Sequence, residues 1–109
     1  MNIHITSETP NRRVVEENAK KVGLDLIPEG EPFSLYKTGA KNSSPYGYAD
    51  EMFCERGVPV ILGNGSQVAI LVENQGRWFR TSPIVKCEKD GDVYKIETKN
   101  SFYELRHDN

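Results

Sequence analysis

The sequence predicts an α+β fold in one domain over residues 1–109, with an N-terminal strand and helix followed by a bent antiparallel sheet or a small β-barrel. Two observations lead to this class. Residues 11–22 are good helix formers with apolar side chains on one stripe. Residues 58–105 consist of short apolar or alternating segments separated by turn residues, a pattern typical of strands in bent sheets and barrels.

The N-terminal elements follow from local patterns. Residues 2–6 alternate polar and apolar side chains, which predicts a half-buried strand. Thr9 can cap a helix and Pro10 can occupy its first position, while Gly23 is a typical helix end. We therefore expect a helix that ends just before this glycine.

The next segment contains two short strands and a long connector. The apolar residues 24–27 and the alternating residues 33–37 are predicted to be strands. Residues 38–48 show no periodicity, and loops of this length tend either to carry function or to be plain connectors with a ring packed on the core. Three residues of this connector are candidates for ligand or partner contact: Lys41, Tyr46 and Tyr48.

A short helix is predicted over residues 49–56, because acidic residues at its start and a glycine after its end suit helix termini. Residues 58–62 and 67–73 then form two predicted strands around a glycine-rich turn. Both strands are apolar at nearly every position, which predicts burial on both faces of the sheet.

Three further strands are predicted in the C-terminal third. The first covers residues 78–88 and contains Pro83, which removes a ladder donor and so predicts an edge, a bulge or a sharp bend. A tight turn at Gly91 joins it to residues 93–98. A second turn leads to the last strand, residues 102–105.

Composition argues against several classes of partner. The net charge is -2, with 14 basic and 16 acidic residues, so the chain lacks the basic excess that binds duplex nucleic acid. No apolar run approaches the roughly 20 residues that span a bilayer, and the first residues lack the pattern of a signal peptide. An intracellular protein without a membrane partner is therefore expected.

Neither a metal nor a catalytic arrangement is predicted. Cys54 and Cys87 are expected to be reduced, buried thiols, because free cysteine packs as a small apolar residue. Only His4 and His107 could join them at a metal, and no short ligand spacing is present, so no metal or other cofactor is expected. Since no nucleophile, base and acid occur in a recognised setting, we expect a protein that is not an enzyme.

Polar side chains gather toward the open end of the C-terminal hairpin. One strand carries two arginines and the hydroxyls after them, and its partner ends in hydroxyls and an amide: Arg77, Arg80, Thr81 and Ser82, then Thr98, Asn100 and Ser101. A hairpin centred on Gly91 places the two groups opposite each other. Such groups suit a small polar anion or a nucleobase, with the rings of Trp78, Phe79, Phe102 and Tyr103 available for stacking. Alternatively, these side chains only form hydrogen bonds with backbone groups that a bend leaves without partners.

Two segments of this hairpin region, residues 78–85 and 96–105, resemble the endings of short phage and mobile-element proteins, including the anti-Thoeris sponges that sequester cyclic nucleotide signals as oligomers. The resemblance implies a non-enzymatic protein in the cytoplasm of a bacterial cell that captures a small nucleotide-derived immune signal. It assigns no ligand-binding residue, so the expected site near Arg80 and Asn100 rests on the hairpin geometry alone. A homo-oligomer is expected because so short a chain gains enclosure for a ligand when subunits share the walls of a cleft. The alternative is a protein-binding inhibitor of a host defence nuclease, of the anti-CRISPR kind, anchored by the rings of Tyr46 and Tyr48.

Overall fold

The computed structural model describes residues 3–4, 11–41 and 51–107. These residues form one α-helix, a 3₁₀ turn and nine strands. In chain order they are β1 (Ile3–His4), α1 (Arg12–Val22), the 3₁₀ turn (Leu24–Leu26), β2 (Phe33–Ala40), β3 (Met52–Gly57), β4 (Val60–Asn64), β5 (Gln67–Asn74), β6 (Arg77–Arg80), β7 (Ile84–Asp90), β8 (Val93–Thr98) and β9 (Ser101–His107).

The strands form two sheets. The first sheet has the order β1-β4-β5-β6, with β1 parallel to β4 and the other pairs antiparallel. The second sheet has the order β3-β2-β9-β8-β7 and is antiparallel throughout. One helix with antiparallel sheets agrees with the predicted class. However, the described part of the chain is mostly β and forms two open sheets rather than a closed barrel.

One hydrophobic core is enclosed by the inner faces of both sheets and by α1. Strand alternation turns Ile70 and Val72 of the first sheet and Leu35 and Leu105 of the second sheet inward, and all four are fully buried. Ala19 of α1 is buried in the same cluster. The helix contacts β4 and β5 of the first sheet and β7 of the second sheet, so it covers the core on the side where β7 lies beside β5.

The ends of α1 are set by its two caps. Asn11 is the N-cap, and its side-chain oxygen accepts a hydrogen bond of 3.0 Å from the backbone N–H of Arg13. Thr9 and Pro10, which the sequence suggested for this end, lie outside the described residues. Gly23 ends the helix as predicted, in the left-handed conformation with φ of 89°.

Two local predictions are wrong. Residues 24–27 form the 3₁₀ turn and its flank rather than a strand, because Leu24 continues directly from the helix cap into the core. Residues 52–56, predicted as part of a helix that stops at Gly57, instead belong to β3, which pairs with β2 from Gly57 opposite Phe33 to Met52 opposite Lys37. Two isolated helical turns are weak, and the ladder to β2 outweighs the local propensity.

The predicted long strand over residues 78–88 is also wrong as a single element. It is divided into β6 of the first sheet and β7 of the second sheet, joined by a corner at residues 81–83. Thr81 fixes this corner, since its N–H donates to the carbonyl of Ile70 at 2.9 Å and its hydroxyl accepts from the N–H of Ile70 at 3.0 Å. Pro83 lies at a sharp bend, one of the three settings that the sequence predicted.

Replacement of Gly23 by alanine tests how closely the helix end approaches the second sheet. A Cβ at Gly23 would overlap the carbonyl oxygen of Cys87, whereas a Cβ at Gly30, which also has a positive φ of 74°, would meet nothing. Gly30→Ala should lower the free energy of unfolding by about 1 kcal/mol, the cost of the left-handed backbone alone. Gly23→Ala should lower it by about 3 kcal/mol or more, because steric overlap is added. Equal effects in urea unfolding would contradict this account.

Candidate functional site

The hydroxyl residues of the two polar groups lie side by side, as the geometry of a turn at Gly91 predicts, whereas the arginines do not join them. Ile84 pairs with Thr98, and the N–H of Lys99 donates to the carbonyl of Pro83 at 3.0 Å. The hydroxyl of Ser82 donates to Oγ1 of Thr98 at 2.8 Å. The chain therefore brings the corner between the sheets against the turn between β8 and β9.

Thr98 is the centre of this contact and is fully buried. Besides the bond from Ser82, its Oγ1 accepts from the N–H of Ser101 at 2.9 Å and from the N–H of Asn100 at 3.3 Å, and it donates to the carbonyl of Ser101 at 3.0 Å. Thr81 and Ser101 are buried as well. These hydroxyl and backbone groups hydrogen-bond one another across the bend, which is how polar atoms are accommodated in a core.

The arginines and the tryptophan of the predicted site are exposed on the edge strand β6. Phe79 faces the core beside Val72, so alternation places Trp78 and Arg80 on the outer face of the first sheet. The side chain of Trp78 is 66% exposed. Arg77 lies on the inner side, where its Nε is 3.6 Å from Glu55 Oε2. These three residues therefore do not converge with the buried hydroxyls.

The remaining predicted site residues have different settings. Tyr103 is buried, packs edge-to-face on Phe79 with ring centroids 5.8 Å apart, and has a phenol pKa raised by that burial. Asn100 is exposed in the turn that precedes β9. Tyr46 and Tyr48 lie outside the described residues.

A cavity of about 380 Å³ lies on the outer face of the second sheet. We call this surface the cavity face. Because Ser101, Tyr103 and Leu105 point into the core, alternation turns Phe102 and Glu104 outward. The outward side chains that line the cavity come from four neighbouring strands: Thr38 of β2, Lys86 and Glu88 of β7, Lys95 and Glu97 of β8, and Phe102 and Glu104 of β9.

Opposite charges alternate across this face. Lys86 pairs in register with Glu97, and Lys95 lies between Glu88 and Glu104 on its two neighbouring strands. Lys86 Nζ is 2.7 Å from Glu88 Oε1, and this hydrogen bond raises the pKa of the Lys86 ammonium. Opposite charges on adjacent strands add modest stability to a sheet.

Phe102 is the exposed aromatic ring of the cavity. Its side chain is 41% exposed, and the ammonium of Lys41 lies 5.6 Å from the ring centroid. Lys41 is itself held by Glu97, with Nζ and Oε2 2.6 Å apart. The sequence had offered Phe102 as one ring among several, but it gave no reason to join that ring to the lysines and carboxylates of β7 and β8.

A second cavity, of about 450 Å³, lies at the end of the second sheet where β9 finishes. Its aromatic lining is provided by Phe33 and Tyr94, which are buried. At its rim, His107 Nε2 lies 3.4 Å from Glu31 Oε2. Because these two rings are buried in the core, they offer a ligand little exposed surface for stacking. The cavity face, with the exposed ring of Phe102, is the better stacking surface.

The cysteines have the character of unreactive thiols. Cys87 is buried, and that burial raises the pKa of its thiol to about 12. Cys54 is partly buried, and its pKa is raised for the same reason. Among residues 3–4, 11–41 and 51–107, no group of three or more potential ligands could hold a metal ion. No helix within these ranges is long and apolar enough to cross a membrane.

Substitution of Thr98 measures how far the buried hydroxyls serve the fold. Thr98→Val keeps the shape but leaves buried N–H groups without an acceptor, so the free energy of unfolding should fall by about 2–3 kcal/mol. Ser82→Ala removes one partly buried donor and should cost about 1 kcal/mol. Chemical denaturation of both variants makes the comparison. A smaller loss in Thr98→Val than in Ser82→Ala would contradict a structural role centred on Thr98.

Comparison with known proteins adds no relative. No family model matches the chain, and neither a curated protein nor a solved structure matches it significantly. Its function therefore has to be inferred from its own geometry.

Proposed function

We propose that the protein is a non-enzymatic binding protein that captures a small nucleotide-like ligand on the cavity face. The observation that carries this proposal is the exposed ring of Phe102 beside lysines and carboxylates in a cavity of about 380 Å³. Cavities of this size hold small organic ligands. The proposal moves the ligand from the buried hydroxyls of the hairpin to the neighbouring outer surface.

Each part of such a ligand has a counterpart in the cavity. A nucleobase stacks on Phe102, as bases do on exposed aromatic side chains of sheets. The ammonium groups of Lys86 and Lys95 suit phosphate oxygens, and Lys41 lies close enough to the ring to meet a phosphate attached to a stacked nucleoside. Carboxylates such as Glu97 and Glu104 accept hydrogen bonds from ribose hydroxyls or exocyclic amines.

The balance of charge narrows the class of ligand. The cavity contains two lysines and three glutamates, and Lys41 adds a third cation at its rim. A long polyanion would meet as many carboxylates as ammonium groups. A ligand with one or two phosphates together with ribose hydroxyls matches the mixed set, which agrees with the net charge of -2 and with the expectation against duplex nucleic acid.

The biological setting of the proposal comes from the resemblance of the C-terminal third to phage anti-defence proteins. In that setting the ligand is a nucleotide-derived immune signal, and the protein removes it from the bacterial cytoplasm by binding it. Support from the site is that the carboxylates Glu88, Glu97 and Glu104 are each within 3.0 Å of a cationic side chain. The oxygen atoms of these carboxylates can accept hydrogen bonds from the hydroxyls of such a ligand.

Calorimetric titration with ADP-ribose and with cyclic ADP-ribose tests this function. The chain should bind at least one of the two probes and release it chemically intact after heat denaturation. Phe102→Ala should weaken binding about 10-fold or more, because a stacked base contributes about 1–3 kcal/mol.

Phe53→Ala is the matched control for this experiment. Phe53 is 50% exposed on the same sheet but does not line the cavity, so its replacement should leave affinity unchanged. Hydrolysis of a probe would favour an enzyme instead. Binding of neither probe would overturn the proposal and favour the protein-binding inhibitor.

A further inference from the structure

The outer face of the first sheet is apolar across three strands. Since Ile61, Ile70 and Val72 point into the core, the residues that alternate with them point outward. We call this surface the apolar face, and its apolar side chains are Val60, Leu62, Ala69, Leu71 and Trp78. The sequence predicted burial of β4 and β5 on both faces, yet these side chains remain partly or largely exposed.

Within residues 3–4, 11–41 and 51–107, the helix and β3 contact the inner face of the first sheet, the face that points into the core. Gly57 of β3 approaches Val72, an inward residue, and Glu55 of β3 meets Arg77 on the inner side of β6. The helix packs its buried residues Val15 and Ala19 into the same core. A continuous apolar sheet face outside such a core is a typical protein contact surface.

The registers of β4, β5 and β6 give the apolar face an internal symmetry. Val60 lies opposite Leu71, and Leu62 lies opposite Ala69. Leu71 lies opposite Arg80, and Glu73 lies opposite Trp78. Leu62, Leu71 and Trp78 therefore follow one diagonal across the three strands. Val60 and Glu73 lie on one side of this diagonal, and Ala69 and Arg80 lie on the other side.

We propose that a second copy of this chain docks on the apolar face, with a two-fold axis along the diagonal from Leu62 to Trp78. Such an axis exchanges the two sides of the diagonal. Arg80 of each copy then meets Glu73 of the other, and Val60 of each copy meets Ala69 of the other. The axial residues pack against their own counterparts.

Self-complementarity favours a second copy over an unrelated partner. An arbitrary apolar patch has no reason to carry opposite charges at positions that one rotation exchanges, whereas an isologous interface requires this. With strand spacing of about 4.8 Å and a rise of about 3.4 Å per residue, the strands of the two copies cross at about 70°. This angle is near the orthogonal class of sheet packing.

Light scattering coupled to size-exclusion chromatography tests the dimer. The chain should have the mass of a dimer, and Leu71→Lys, which places two ammonium groups on the axis, should have the mass of a monomer. Val85→Lys is the matched control, because Val85 is 48% exposed on β7 of the other sheet, and this variant should remain a dimer. A monomeric mass for the unmodified chain at its highest soluble concentration would overturn the proposal.

Charge reversal tests the axis itself and leaves the apolar side chains in place. Arg80→Glu should weaken dimerisation at least 10-fold, because it sets two carboxylates against each other, and Glu73→Arg should act in the same way. The double variant should recover the dimer. A dimer that neither single reversal weakens, or that the double variant fails to restore, would exclude this axis.

Trp78 supplies an independent reading, because it is the one tryptophan of the chain. Dilution should shift its emission to the red and increase its quenching by iodide over the same concentration range in which the mass falls. An emission that stays constant while the dimer dissociates would place the interface elsewhere. Phe102→Ala should retain the dimer, so loss of ligand binding and loss of dimerisation are separate outcomes.

Discussion

The two-sheet fold depends on hydrogen bonds made by buried threonine hydroxyls where the chain passes from the first sheet to the second. Thr81, directly after β6, forms two hydrogen bonds with the backbone of Ile70. Thr98 accepts a hydrogen bond from the hydroxyl of Ser82, which lies in the corner between the sheets. A bend at this point interrupts a strand ladder and would leave backbone groups without partners in the core. Because side-chain hydroxyls supply those partners, the chain can turn sharply and start a new sheet within three residues.

The same hydrogen bonds fix the surface that we propose for the ligand. Thr98 binds both the N–H and the carbonyl of Ser101, which holds that residue inward at the first position of β9. Alternation then turns Phe102 outward and Tyr103 inward along the strand. A slip of one residue would exchange these two rings, burying Phe102 and exposing the phenol. The hydroxyls of the predicted site thus position the candidate ligand surface without belonging to it.

Sequence patterns were sufficient where the decisive interaction is local. The helix end at Gly23 and the turn at Gly91 each depend on the conformation of one residue, and both were predicted. The bend at Pro83 was one of three settings that the sequence offered for this proline. The strand β3 was missed because its helical propensity is local whereas its pairing with β2 is not. The division of residues 78–88 between two sheets depends on Thr81 meeting Ile70, eleven residues away.

The candidate site could be predicted only in part for the same reason. That the two ends of the hairpin meet follows from counting residues on either side of Gly91. That the cavity face joins Lys86, Lys95 and Phe102 follows only from the registers of three strands, which include a bulge between Ile84 and Lys86. The alternation in β8 and β9 marked their outward side chains, but it did not show that side chains of β2 and β7 line the same cavity.

The two proposals together change the reason for expecting an oligomer. For so short a chain, the sequence favours an oligomer whose subunits share the walls of a ligand cleft. The cavity face and the apolar face, however, are the outer surfaces of different sheets, with the core between them. A dimer formed through Leu71 and Trp78 therefore does not enclose a ligand stacked on Phe102. The walls around such a ligand are then the side chains of the second sheet alone, while the dimer buries apolar side chains that the core of a single chain leaves exposed.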